Sequence, residues 1–258
     1  MTVLTRPDTV ADAVAATVRG DDVAYLAGGH TLVPAMKARL RDPDGLIDLS
    51  TIPDLRDMTV EGDRLWVGAM VRHADVAADA NAIPALKDMA RLIGDPQVRN
   101  RGTLGGALAN NDPAADYPAA ALGLDAIIET DRRRHEAADF FQGMFFTALD
   151  EGELIVRVGF RVPERAAYAK FRHPASRYAL AGVFVAKLAD GYRVTVTGAG
   201  GDGVFRWHDA EAVLADGGDI AAVAPPDAAS MSSDIHASAD YRAHLCTVML
   251  GQAVGDMT

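Results

Sequence analysis

Two short stretches hold residue types suited to binding an anion. Ala27-Gly28-Gly29-His30-Thr31 runs on from an apolar segment, Val23 to Leu26, and leads into a helical pattern. Thr103-Leu104-Gly105-Gly106-Ala107 repeats the small-residue chemistry, with the Thr103 hydroxyl as a further donor and Asn110 and Asn111 just beyond. Glycine admits positive φ and lets backbone approach a ligand closely. Successive N–H groups then converge on one concavity, and the N-terminus of a following helix favours negative charge. No Gly-Lys-Ser/Thr follows either stretch, which excludes a P-loop, and neither has the Gly-x-Gly-x-x-Gly spacing of the dinucleotide fingerprint. Each alone is more often a tight turn than a phosphate site. Two in one domain suit a diphosphate gripped from both sides.

Other polar residues carry less. Asp112 and Asp116 read either as a carboxylate pair or, more simply, with Asp112 capping a turn before Pro113. Arg99 and Arg101 beside the second stretch either assist a phosphate or brace the loop. Arg132-Arg133-Arg134 reads as a solvated turn. The seven histidines lack His-x₃-His spacing, so no metal ligand is expected, and His73, His135, His208, His236 and His244 read as surface or structural. Cys246, Trp66 and Trp207 read as packing residues.

The elements that must position these groups follow from apolar periodicity. Asp8 is a plausible cap for a helix through Val10, Ala13, Val14, Thr17 and Val18, ending at Gly20. Val23 to Leu26 is a strand, and Leu32 to Leu40 a helix with Pro34 in its first turn. Leu46 to Leu49, Arg64 to Val67, Ala126 to Thr130 and Leu154 to Phe160 read as strands. His73 to Ala80 and Pro84 to Ile93 read as helices. Gly94 to Pro118 shows neither period and reads as a long loop of the kind that is usually functional. After Pro163, Phe184 to Leu188 and Tyr192 to Thr197 flank Ala189-Asp190-Gly191 as a hairpin. Asp209 to Ala215 and Ala239 to Gly251 read as helices, with a Pro-, Ala- and Ser-rich loop, Gly217 to Ser233, between them. A boundary is expected near residues 161–167.

Composition bounds the function. The chain has 258 residues, with 25 Lys and Arg against 36 Asp and Glu, a formal charge of −11. A hydrophobic fraction of 49% excludes wholesale disorder. The acidic balance argues against a nucleic-acid binder. One cysteine excludes an internal disulfide and a cysteine-ligated iron–sulfur cluster held within this chain. No signal peptide or membrane span is expected, which makes the cytoplasm the default location.

Longer motifs point further. Ala27-Gly-Gly-His-Thr31, the run Ile93-Gly-Asp-Pro-Gln-Val-Arg-Asn-Arg-Gly-Thr-Leu-Gly-Gly106 and Ala109-Asn-Asn-Asp-Pro-Ala-Ala-Asp-Tyr117 resemble the FAD-binding medium subunits of molybdenum hydroxylases, those of the aerobic carbon monoxide dehydrogenase type above all. Lys170-Phe-Arg-His-Pro-Ala-Ser-Arg-Tyr178 and Ser238 to Leu245 extend the likeness over nearly the whole chain.

The resemblance implies an α+β fold: a two-lobed FAD-binding domain of the vanillyl-alcohol-oxidase type over residues 1–163, then a small α+β domain over 164–258. It implies FAD as cofactor, with Ala27, Gly28, Gly29, His30 and Thr31 as one diphosphate loop and Thr103, Gly105, Gly106 and Ala107 as the other. Asp116 matches a cofactor-contacting carboxylate, suited to sugar or ribityl hydroxyls. Lys170 and Tyr178 fall where the family places residues beside the flavin ring, Tyr178 to gate or stack and Lys170 to favour charge on the reduced ring. Thr31 and Ala107 stand where many relatives have Ser, and Gly217 to Ser233 looks short or altered. The implied partners are a molybdopterin-containing large subunit, an iron–sulfur small subunit and an electron acceptor such as a quinone or NAD. No residue here is assigned to proton abstraction. A non-redox nucleotide-binding module and a scaffold subunit without cofactor are the competing readings.

Overall fold

The computed structural model describes residues 2–257. Its first lobe is a three-stranded parallel sheet in the order Val3–Thr5, Gly45–Asp48, Val23–Leu26. Parallel strands need crossovers, and the helices Val10–Ala16 and Leu32–Lys37 provide them. Ala13, Ala16, Ile47, Leu49 and Ile52 form the lobe's core with Leu55, Met70 and Leu154. Thr9, not Asp8, caps the first helix: its hydroxyl accepts from the Asp12 N–H at 3.1 Å. Leu32–Lys37 is shorter than its apolar pattern suggests, and Arg39 just beyond it adopts φ +58°.

The second lobe is a five-stranded antiparallel sheet, in the order Met58–Glu61, Arg64–Gly68, Ile155–Arg161, Ile127–Thr130, Arg134–Glu136. Helices Pro84–Arg91, Leu104–Asn110 and Tyr117–Gly123 supply its apolar cover. Gly94 to Pro118 is therefore not the long loop that its missing periodicity suggests. It holds the short helices Pro96–Arg99 and Leu104–Asn110 and the start of Tyr117–Gly123. Caps rather than an apolar stripe start the first two: Asp95 accepts from the Val98 N–H at 2.9 Å, and Thr103 from the Gly106 N–H at 3.2 Å.

A four-stranded antiparallel sheet follows, Arg165–Arg172, Ala179–Leu188, Gly191–Thr197, Phe205–Arg206. Strand Ala179–Leu188 is covered on both faces, so it reads as one continuous apolar run. Val183 and Val185 share a core with Leu245, Cys246 and Met249 of helix Ala239–Asp256, while Phe184, Ala186 and Leu188 join the core of the second lobe. Tight seams join this sheet to helix Tyr117–Gly123. A Cβ on Gly123 would stand 2.9 Å from the Phe184 ring, and the Thr195 hydroxyl donates to the Ala119 carbonyl at 2.7 Å. Val3–Thr5 and Met58–Glu61 are short and largely exposed, and Arg165–Arg172 is buried only at Ala167 to Ala169 in its centre, so none of the three carries a clear sequence pattern.

Candidate cofactor site

Ala27 to Thr31 leave the C-terminal end of strand Val23–Leu26, where ligands bind in parallel α/β units. Gly29 has φ +74°, a conformation open to glycine and costly elsewhere. Among the described residues, the backbone N–H groups of Gly28, Gly29, His30 and Thr31 donate to no protein acceptor. Thr31 caps the next helix with its backbone only, its hydroxyl making no cap hydrogen bond. This loop thus presents a row of open donors.

The second loop works differently. Leu104 N–H donates to Val71 O at 3.0 Å, Gly105 N–H to Ala69 O at 2.8 Å, and Gly106 N–H to the Thr103 hydroxyl. These amides are spent inside the protein, and the Thr103 oxygen is an acceptor in its own cap rather than only a donor to a ligand. What the loop offers is closeness. A Cβ on Gly105 would stand 2.6 Å from the Ala69 methyl, and one on Gly106 would stand 3.7 Å from Ala27 of the first loop. Gly28 in turn lies on the backbone of Arg101 and Gly102, where any Cβ would overlap the Arg101 carbonyl.

Both loops line one cleft of about 660 Å³, within the range of cofactor sites. Ala27, Gly28, Gly29, His30, Thr31, Thr103, Gly105, Gly106, Ala107, Asp116, Lys170 and Tyr178 all reach it. Asp116 and Lys170 do so as a pair. The Lys170 ammonium lies 2.9 Å from the Asp116 carboxylate, which also accepts from the buried Tyr168 hydroxyl at 2.5 Å. Neither charge is free: the lysine that reaches the cleft is already countered by Asp116. Burial and the adjacent Asp116 push the Tyr168 hydroxyl well above its usual range, which keeps it a donor.

Tyr178 stands at the lip, half exposed. The turn that carries it is held by His173, whose Nδ1 accepts from the Ala175 and Ser176 N–H groups at 3.2 and 3.1 Å. Its Nε2 faces His236 Nδ1 at 3.2 Å. Desolvation raises the Tyr178 hydroxyl, with Asp112 and Asp116 adding to it.

The remaining polar residues sort themselves by contact. Arg99 donates to Ile93 O and Gly94 O at 2.9 and 3.1 Å and so braces the loop. Asp112 caps its turn through Ala114 N–H at 2.9 Å, and burial raises its carboxyl. The arginine run is solvent-exposed, as its sequence suggests, and two of its members are also ion-paired: Arg133 reaches Glu153 at 2.8 Å and Arg134 reaches Glu129 at 2.7 Å. Two cleft residues gave no signal of their own in the sequence. Tyr117 and His73 are both buried, yet Tyr117 Oη and His73 Nδ1 have no hydrogen-bond partner.

Residues 1–164 match the family model described as FAD binding domain in molybdopterin dehydrogenase. The chain belongs to the FAD-binding medium subunits of the molybdenum hydroxylases. It is 35% identical to the carbon monoxide dehydrogenase medium chain of Afipia carboxidovorans, over 96% of this chain and 94% of that one. It is equally 35% identical to the nicotine 6-hydroxylase medium subunit of Paenarthrobacter nicotinovorans, again over 96% and 94%. The reconstituted CO dehydrogenase from Oligotropha carboxidovorans superposes with a TM-score of 0.89 at 33% identity, covering 99% of this chain and 96% of that one. This medium subunit is accordingly an α+β flavoprotein component of an oxidoreductase, with FAD as its family's cofactor. Relatives named for carbon monoxide and for nicotine match it to the same degree, so likeness in this subunit selects no substrate. Among the described residues, no helix is long and apolar enough to cross a membrane.

Proposed function

We propose that this chain holds FAD in the cleft between its two glycine loops and relays electrons within a molybdenum hydroxylase complex. The observation that carries the reading is the pairing of four open amides on one loop with a close-packed glycine wall on the other, in a cleft of cofactor size. Gly28, Gly29, His30 and Thr31 donate to the diphosphate. Thr103, Gly105, Gly106 and Ala107, with Ala27 opposite, shape the facing wall and admit backbone at short range. Asp116, paired with the Lys170 ammonium, accepts from cofactor hydroxyls. Tyr178 covers the flavin ring at the lip.

When bound, FAD supplies the redox chemistry, taking electrons from an iron–sulfur small subunit and giving them to a quinone, NAD or another acceptor. The protein's work is binding, orientation and exclusion of water. No side chain of this chain is assigned a proton transfer. A molybdopterin-containing large subunit oxidises the substrate, and the assembly sits in the cytoplasm. We take residues 1–163 as the FAD-binding domain and 164–258 as the C-terminal domain, which lends Lys170 and Tyr178 to the cleft.

Assembly with both partner subunits tests the relay. Substrate added to the complete complex bleaches the flavin absorbance. A complex whose small subunit has lost its clusters keeps the flavin oxidised. Equal bleaching in both overturns the relay.

A further inference from the structure

The charges along the cleft are paired, with one exception. The Lys170 ammonium faces Asp116 at 2.9 Å, Arg41 meets Asp22, and Glu153 meets Arg133. Arg177 acts on Asp95, whose carboxyl is held low by the Val98 and Gln97 N–H groups and by the charges of Arg177 and Arg99. Asp112 faces no cation: burial pushes its carboxyl up, and only the Ala114 N–H pulls it back. That amide donates to Oδ1 at 2.9 Å. Oδ2 has no hydrogen-bond partner among the described residues, yet it keeps accessible surface, unlike Tyr117 Oη and His73 Nδ1.

Position and rigidity set Asp112 apart as well. It lines the cleft together with Tyr178 and Lys170. Its charge reaches the Tyr178 hydroxyl, which burial, then Asp112, then Asp116 raise. The turn that carries it is clamped by the last sheet: the Gly198 N–H donates to Pro113 O at 2.8 Å, and the Thr197 hydroxyl to Ala115 O at 2.6 Å. We propose that Asp112 is the uncompensated negative charge that sets the reduction potential of the bound flavin, holding it below the value the rest of the cleft would give. This inference rests on the FAD reading above.

Turn capping does not account for this residue. A cap needs one acceptor oxygen, which Asn or Ser supplies as well as Asp. The second oxygen and the charge are surplus to the turn. A flavin feels such a charge, because the groups near its ring nitrogens tune how readily it takes up electrons. A carboxylate opposes that gain, and a lower potential drives electrons onward to the acceptor. At an effective dielectric of about 20, a unit charge alters the energy of another about 12 Å away by roughly a factor of ten in equilibrium constant. Charge can therefore act across the lip without direct contact.

The test uses the full chain loaded with FAD, assembled with its partners if loading requires it. The flavin midpoint potential is read from its absorbance in a spectroelectrochemical titration of the wild type, Asp112→Asn, Asp112→Glu and Asp216→Asn, with FAD affinity alongside. Asp112→Asn keeps an oxygen for the Ala114 N–H and removes only the charge, so the turn is preserved. Its reduction equilibrium shifts about tenfold toward reduced flavin, a rise of about 30 mV for a two-electron couple, at unchanged FAD affinity. Asp112→Glu keeps the charge and stays near the wild-type potential. Asp216→Asn does the same, its exposed carboxylate lying just past helix His208–Ala215 and outside the cleft. An unshifted or lowered potential in Asp112→Asn overturns the proposal and leaves Asp112 a turn cap. An equal rise in Asp112→Glu overturns it too, since geometry rather than charge is then the cause. A wild type that takes up no FAD brings down the functional reading itself, whereas a loaded wild type with the potential of Asp112→Asn sinks this inference alone.

Discussion

The ammonium of Lys170 and the carboxylate of Asp116 meet at 2.9 Å with their side chains 1% and 5% exposed. They come from strand Arg165–Arg172 and the residue preceding helix Tyr117–Gly123, so the pair ties the last sheet to the FAD-binding family region. Breaking such a buried pair leaves one charge uncompensated, at a cost of about 3–5 kcal/mol. Lys170→Met is therefore expected to lower stability by that order in denaturant melts. The double variant Lys170→Met with Asp116→Leu recovers most of the loss, because no lone charge remains. A single variant as stable as the wild type contradicts the pair's role.

Gly28 makes a second, sharper prediction. Its missing Cβ is what lets the first loop lie on Arg101 and Gly102. Gly28→Ala forces the loops apart and costs about 1–3 kcal/mol as overpacking, and FAD binding weakens at least tenfold. Gly62, whose Cβ would meet nothing within 4 Å, is the control. Its φ of +63° strains Gly62→Ala locally, but cofactor affinity stays as in the wild type. Equal affinity in Gly28→Ala and wild type argues against a shared cleft.

Acid should loosen the fold in two stages. Neutral His73 is buried, so its folded pKa of about 4 lies below the unfolded 6.5. Between these values the unfolded chain binds the extra proton, and stability falls as pH drops through the window. At about 1.4 kcal/mol per unit, the loss is on the order of 3 kcal/mol. Glu153 acts lower. Its carboxyl is held near 2 against the cost of its burial by Arg133, the Asp150 N–H, Thr130 and His135, and its contribution is lost as pH falls from 4.5 toward 2. Melting temperature against pH thus declines from about pH 6.5 downward. The variant His73→Phe flattens the part above pH 4 only; a curve parallel to the wild type contradicts the assignment.

Tyr178 can be tested without disturbing the core, since it is half exposed. In the FAD-loaded complex, Tyr178→Ala shifts the visible flavin band and slows acceptor reduction by about tenfold, the loss of one stacking or gating contact of roughly 1.4 kcal/mol. An unchanged spectrum together with unchanged acceptor kinetics removes Tyr178 from the flavin site.

Much of this was legible in the sequence for physical reasons. Strands Val23–Leu26, Arg64–Gly68 and Gly191–Thr197 carry strong local patterns and stand where those patterns put them. The two glycine loops were legible because glycine is tolerated there for what it leaves out. Gly94 to Pro118 misled because its helices begin with polar caps at Asp95 and Thr103 and pack through glycine, so no apolar stripe marks them. The division of labour between the loops was also hidden. Whether an amide is open, as at Gly29, or spent, as at Gly105, depends on the Ala69 carbonyl, some 36 positions away in the chain. The Lys170 countercharge and the unpaired Tyr117 hydroxyl likewise arise only when distant segments meet.

Cofactor titration reaches the central claim most directly. Flavin fluorescence is followed as FAD is added to the chain, alone and assembled with its partners. The account predicts saturation at one FAD per chain, competition by ADP, and loss of binding in both Gly28→Val and Gly106→Val variants that keep a native circular dichroism spectrum. An assembled complex that takes up no FAD, or that binds it equally well with either loop blocked, contradicts the account.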